Sequence, residues 1–239
     1  MSASAYVRLE DGGVDGVAES TPNFDRLARL YRWMEWFSFG PYLSGCRRAF
    51  LPQLREARRA LVLGDGDGRF TAALLRSNPQ VQVDALDISA AMVQGLSRRA
   101  GDDADRVRAQ VQDVRHWTPA AGTAYETVAT HFFLDCLSTD EVRSLARRLR
   151  SHIAPGAQWV VSEFDIPRSW FGQLIARPLI AFLYGAFRVM TGLAIRRLPD
   201  YHRGLTEAGF TLIARQTQLR GLLVSEIWSP KAEGRDDST

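Results

Sequence analysis

Lysine is nearly missing from this chain: Lys231 is the sole example among 30 lysine and arginine residues. The basic character therefore rests on arginine. With a formal net charge of only +3, it reads as compositional bias rather than a field built for a polyanion. Cys46 and Cys136 are the only cysteines, too few for a disulfide framework. The four histidines, His116, His131, His152 and His202, show no ligand spacing, so no metal site is expected. No basic stretch followed by an apolar core opens the chain, so no secretory signal is expected and a cytoplasmic location follows by default. No Gly-Lys-Ser/Thr phosphate loop occurs, and there is no internal repeat or low-complexity tract. What remains is ordinary: 239 residues, 46% hydrophobic and 24% charged, enough for one sizeable α/β domain.

The chain is organised around Leu61-Val-Leu-Gly-Asp-Gly-Asp-Gly-Arg-Phe70. An apolar run enters a stretch with glycine at 64, 66 and 68, and a helix-forming segment follows at once. That is a strand, a tight turn and a helix N-terminus, where backbone N–H groups and the positive dipole end are free to meet a ligand. A plain βα turn would look the same. The next segment shifts the balance: Val81-Gln-Val-Asp-Ala-Leu-Asp87 reads as a second strand ending in an acid, nineteen residues after Gly68. An acid there can accept hydrogen bonds from both hydroxyls of a ribose. Arg69 stands where a dinucleotide fingerprint wants its third glycine, so a nucleoside ligand without a pyrophosphate fits better than a dinucleotide.

Leu63-Gly-Asp-Gly-Asp-Gly68, followed by Leu86-Asp-Ile-Ser89 and Met92, resembles the first and second motifs of the class I S-adenosylmethionine-dependent methyltransferases. The likeness covers roughly residues 22–229 and is strong over 60–165. The layout is most similar to the small-molecule enzymes related to ubiquinone/menaquinone C-methyltransferases. The resemblance implies a Rossmann-like, doubly wound, mostly parallel seven-stranded sheet with a C-terminal antiparallel hairpin, plus an N-terminal and an inserted helical lid. It implies S-adenosylmethionine as methyl donor, held by Gly64, Asp65, Gly66, Gly68, Asp87, Ile88, Met92, Asp113, Val114 and His131. In that reading Asp87 takes the ribose, and Asp113 takes the adenine amino group with Val114 beside the ring. One position departs from the family pattern: Val62 stands where members usually carry an acid that helps fix the donor's amino group. Asp65 or Asp67 is the available substitute.

In chain order, residues 1–20 read as a loose tail. Thr21-Pro22 opens a helix over 23–37, and a second helix is expected over 42–56; together, 21–57 form the lid expected in this family. Aromatics of this region, from Tyr31 to Tyr42, can pack the lid or contact a substrate. The core, 60–165, alternates strand 60–63, helix 68–77, strand 81–86, helix 89–100, strand 106–111, strand 125–130, helix 140–152 and strand 158–164. Such alternation implies a parallel sheet with ligands at the strands' carboxyl ends. Residues 166–199 form a dense apolar cap insertion, including Trp170, Phe171, Leu174 and Phe182. Arg177, Pro178 and Arg188 interrupt it, so a membrane span is not expected, while peripheral membrane contact is. A helix over 200–208 and strands 210–219 and 222–229 close a single domain over 21–229, with a loose tail over 230–239.

Methyl transfer from a sulfonium depends on alignment, and a hydroxyl or activated carbon acceptor also needs a proton acceptor. His131, just past the fourth strand, is the first candidate; Asp135 can orient it or act itself, and Tyr201 and His202 are later candidates. The expected function is O- or C-methylation of a hydrophobic or aromatic small molecule. Two competing readings use the same fold. Arginine groups at 47–59, 143–150 and 196–203 suit an RNA methyltransferase, but His131-Phe-Phe-Leu134 replaces the Asp/Asn-Pro-Pro-aromatic motif of base-directed enzymes, so no nucleic-acid partner is expected. Val62 suits a protein that binds S-adenosylmethionine without transferring its methyl group.

Overall fold

The structure, a computed structural model, describes residues 40–167, 170, 172–178 and 199–231. The expected N-terminal tail and helix 23–37, most of the cap insertion and the tail from 232 lie outside the described residues. So does any test of peripheral membrane contact by that cap. Among the described residues no helix is long and apolar enough to cross a membrane.

A seven-stranded sheet runs in the order β3-β2-β1-β4-β5-β7-β6. Its strands are β1 (Arg59–Leu63), β2 (Gln82–Asp87), β3 (Val107–Val111), β4 (Tyr125–His131), β5 (Ile153–Phe164), β6 (Phe210–Gln218) and β7 (Leu223–Pro230). Strands β1 to β5 pair in parallel, and β7 inserts antiparallel between β5 and β6. This is the doubly wound, mostly parallel sheet with a C-terminal hairpin that the alternation of elements predicts. Chain order reverses at β1, which lies between β2 and β4, and ligands of open α/β sheets bind at such a switch point.

Both faces of the sheet are covered, which is why its strands read as apolar runs rather than alternating ones. Leu61, Leu63, Val128, Trp159, Val161 and Trp228 point to one face, against α4 (Thr139–Arg150) and α5 (Tyr201–Glu207). Ala60, Val62, Val83, Ala129, Val160 and Ile227 point to the other. There they meet α2 (Arg69–Ser77), α3 (Ala90–Ala100) and the 3-10 turn Leu51–Leu54 that follows α1 (Gly40–Arg48). The helix expected over 42–56 is thus two pieces. Pro52, which has no N–H to give and is tolerated only in a first turn, sits at the start of the second.

Side-chain caps fix several helix starts. Ser138 and Glu141 close a capping box on α4, each accepting the other's backbone N–H. Val142, Leu145, Ala146 and Leu149 then bury one stripe of that helix. Ser89 accepts the Met92 N–H at the start of α3, and Asp200 accepts that of Arg203 in α5.

Candidate donor and acceptor site

At the end of β1 the chain turns sharply through Gly64, Gly66 and Gly68, with φ of 66°, 59° and 82°. Two of these positions admit no side chain for a second reason. A Cβ on Gly64 would lie 2.0 Å from Cδ2 of Phe133, and one on Gly68 would lie 2.8 Å from the Leu96 backbone. The turn delivers the chain into α2, whose first N–H groups need acceptors. Asp65 supplies them, accepting from Phe70 at 3.1 Å and Thr71 at 2.7 Å. Burial pushes its carboxyl above the usual range, and the Thr71 N–H counteracts this. Asp67 turns the other way, to Arg99 at 2.6 Å and Arg69 at 3.3 Å. Both loop acids are therefore engaged by the protein itself, and Val62 lies 1% exposed in the apolar core.

Asp87 ends β2 directly across from this loop. One carboxylate oxygen accepts the Gly66 N–H at 3.2 Å and the other accepts the Ser89 N–H at 2.9 Å. The Ile88 N–H also bears on this carboxylate, so the group is fixed in orientation while keeping acceptor capacity for a ligand. Burial raises its pKa, with the Ser89 and Gly66 N–H groups acting against that. Ile88 beside it is exposed, and Met92 lies against Gly66. Asp113, past β3, is paired with the Arg115 guanidinium at 2.6 Å, which lowers its pKa. Val114 does not lie open beside it. Its side chain is buried with Leu63 and Leu86, and the exposed apolar surface near Asp113 is Val111 instead.

The loop after β4 is held by a residue that the sequence did not single out. Glu163, buried in β5, accepts the N–H groups of Phe133 at 3.0 Å and Leu134 at 2.8 Å. Its carboxyl is pushed well above the usual range by burial first and by Asp135 second. The clamp fixes Phe132 at φ 55°, a strained value for a bulky residue, and lays Phe133 over Gly64. Asp135 stands in the 3-10 turn Leu134–Cys136 that follows, half-buried, with its Oδ1 3.5 Å from the Cys136 thiol.

Two histidine expectations need correction. His131 does not present a base to an acceptor. It is 3% exposed, its ring packs 4.2 Å from the Phe70 ring, and Nδ1 lies 2.9 Å from Ser162 Oγ. Burial, helped by the Arg47 charge, lowers its pKa to about 3. His202 is bound to Glu226 of β7, at 3.0 Å, between the rings of Tyr201 and Trp228. Tyr201 donates to the same carboxylate at 3.2 Å. At roughly 4.8 Å per strand, β7 lies about 14 Å from β1 and farther from Asp87. The structure gathers Gly64, Asp65, Gly66, Asp87, Met92, His131 and Asp135 around the β1–β4 switch point and sets Tyr201 and His202 apart.

Arg47 was also missed. It is a buried arginine of α1 whose guanidinium lies 5.2 Å above the Phe132 ring. Its charge is felt at Asp65, His131 and Cys46. No cluster of metal-ligating side chains occurs among the described residues.

Residues 61–158 match the family model described as a methyltransferase domain. Among curated proteins, the trans-aconitate 2-methyltransferase of Rhodococcus jostii (strain RHA1) is 35% identical over 117 residues, 47% of this chain and 42% of that protein. The malonyl-[acyl-carrier protein] O-methyltransferase of Paenibacillus sp. (strain JDR-2) is 26% identical over 157 residues, 65% of this chain and 56% of that one. The chain thus spans about half the length of these relatives. The solved structure of the mitomycin 7-O-methyltransferase MmcR superposes with a TM-score of 0.66 at 17% identity, over 89% of this chain and 62% of that one. The fold is therefore the Rossmann-like fold of these methyltransferase structures, and residues 61–158 are similar to a methyltransferase domain.

Proposed function

We propose that the chain is an S-adenosylmethionine-dependent methyltransferase of the small-molecule kind, transferring a methyl group to oxygen or carbon of a hydrophobic or aromatic acceptor. Its layout within the class follows the ubiquinone/menaquinone C-methyltransferase group. The observation that carries the donor assignment is Asp87. Its carboxylate is oriented by backbone N–H groups, Gly66 and Ser89 foremost, at the strand end where a ribose diol would be met. The residues fit the donor elsewhere too. The glycine turn offers bare backbone, Ile88 and Val111 offer exposed apolar surface for a purine, and Asp113 offers an acceptor beyond β3.

When bound, S-adenosylmethionine supplies an electrophilic methyl group on a sulfonium. The chain's part is placement, which can account for much of the rate of an in-line displacement. Asp87 and the Gly64–Gly68 turn hold the nucleoside. Glu163 fixes the loop that carries Phe133 and Asp135 to the strand ends. With His131 buried, the proton acceptor for an acidic acceptor group is Asp135. The apolar character of the acceptor is supported by the partly exposed Phe164 ring at the end of β5. It is also supported by Trp170 and Leu174, which are 66% and 73% exposed beyond β5. An acceptor panel of quinols, phenols, fatty acids and polar metabolites, read by incorporation of labelled methyl, tests this. Apolar and aromatic members should be methylated first, and preference for the polar members would overturn the acceptor assignment.

A further inference from the structure

The two oxygens of Glu163 have unequal surroundings. Oε1 accepts the Phe133 and Leu134 N–H groups at 3.0 and 2.8 Å, and the Asp135 N–H bears on the carboxyl more weakly. Oε2 is buried without a hydrogen-bond partner among the described residues. A carboxylate oxygen stripped of water needs a donor or a cation, and without one the group keeps a proton. The donors that face Glu163 are spent elsewhere. Cys136, in the loop after β4, directs its thiol to Asp135 at 3.5 Å. Tyr201 of α5 donates to Glu226 at 3.2 Å, and Cys46 of α1 directs its thiol to the Val224 carbonyl at 3.5 Å.

The remaining neighbours are acids. Glu226, two residues along β7 from Val224, the strand partner of Glu163, is taken up by Tyr201, Trp228, His202 and Arg215. Asp135 is the acid whose charge bears on Glu163. The Leu134 N–H pins the loop to Oε1, so the next residue is anchored beside the Glu163 carboxyl, where two like charges are costly. Glu163 is 2% exposed and Asp135 half-buried, so burial decides which of them stays neutral. We infer that Glu163 and Asp135 form a carboxyl pair holding one proton, kept on the bare Oε2 of Glu163, so that Asp135 bears the pair's single negative charge. The inference rests on the proposed function in one respect, that Asp135 has an acceptor proton to take. When an acceptor O–H is methylated, its oxygen bonds to the methyl carbon, the C–S bonding pair leaves with sulfur, and the O–H proton passes to Asp135. Glu163 keeps its own proton and is a positioning residue: it fixes the loop, and its neutrality lets Asp135 remain an ionised base.

Infrared pH titration of the full chain tests the pair without donor or acceptor. At about pH 7, where ordinary carboxyls are ionised, the wild type should show a carboxylic-acid carbonyl band that Glu163→Gln lacks. The glutamine can still accept the two loop N–H groups, and circular dichroism checks that it folds. In Asp135→Asn the band should remain at lower pH and disappear about one pH unit or more earlier, a tenfold change in proton affinity. Identical acid bands in the wild type and folded Glu163→Gln overturn the inference, as does an unmoved midpoint in Asp135→Asn. If Glu163→Gln does not fold, 13C-labelled glutamate carboxyls decide: one should stay protonated at about pH 7 in the wild type and titrate lower in Asp135→Asn, and none protonated overturns the inference. Activity gives a further readout. With a panel acceptor that is methylated, wild-type turnover should change at the pH where the band disappears, and Glu163→Gln should lack that step at unchanged donor affinity; a retained step overturns the inference. A panel with no methylated member would strike the proposed function, while the bands still decide the pair.

Discussion

Replacing Gly64 with alanine should destabilise the protein through two separable terms. The first is backbone: φ is 66° there, and an L-residue in the left-handed region costs roughly 1–2 kcal/mol. The second is steric, because the new Cβ would sit 2.0 Å from Cδ2 and 2.6 Å from Cγ of Phe133. Overlap with the ring's root cannot be relieved by turning its far edge, so Phe133 or the loop clamped by Glu163 must shift. Overpacking of this kind costs about 1–3 kcal/mol. The sum, roughly 2–5 kcal/mol, is a large part of a typical domain's stability. The assay is chemical unfolding of Gly64→Ala, Phe133→Ala and the double variant, compared at a constant denaturant slope. Removing the ring should remove the steric term and leave the backbone term, giving a favourable coupling of about 1–3 kcal/mol between the two changes. Additive losses, with coupling under about 0.5 kcal/mol, would show that Phe133 does not lie on Gly64 and would refute the reasoning.

Asp65→Ala should cost about 0.5–2 kcal/mol, the range for losing a side-chain acceptor of first-turn N–H groups, and unfolding curves of a variant matching the wild type would remove Asp65 from that role. His131 makes a pH prediction whose sign follows from burial. Its folded pKa, about 3, lies below the unfolded value near 6.5, so the unfolded chain binds the proton first as pH falls. The stability present above about pH 6.5 is therefore lost as pH falls toward about 3, at up to about 1.4 kcal/mol per pH unit from this residue. His131→Gln should show a shallower acid loss between about pH 6 and pH 4, and parallel profiles would contradict the buried, neutral imidazole.

Much of the architecture was legible because local signals agreed with the global fold. The run Leu61–Leu63 before three spaced glycines and the acid ending Val81–Asp87 each state a strand or a switch-point turn in a few adjacent residues. What was not legible depends on partners distant in the chain. His131 looks like a base at the end of a strand. Its surroundings are Ser162, Phe70 and Arg47, brought together only by the sheet order and α1. Glu163 reads as an ordinary strand end until the β4 loop folds back onto it. His202 reads as near the site because α5 follows the cap in sequence, yet its partner Glu226 stands on β7, two strands beyond β4. Val114 follows a candidate adenine acid but turns into the core, and Pro52 divides what periodicity alone extends into one helix.

The central claim is that Asp87 holds the ribose of S-adenosylmethionine at the β1–β4 switch point. Equilibrium dialysis of labelled S-adenosylmethionine against wild type and Asp87→Ala, with folding checked by circular dichroism, tests it directly. The wild type should bind saturably. The folded variant should bind more weakly by roughly 1.5–3 kcal/mol, about ten- to a hundredfold in Kd. Equal dissociation constants for the two folded proteins would contradict the account.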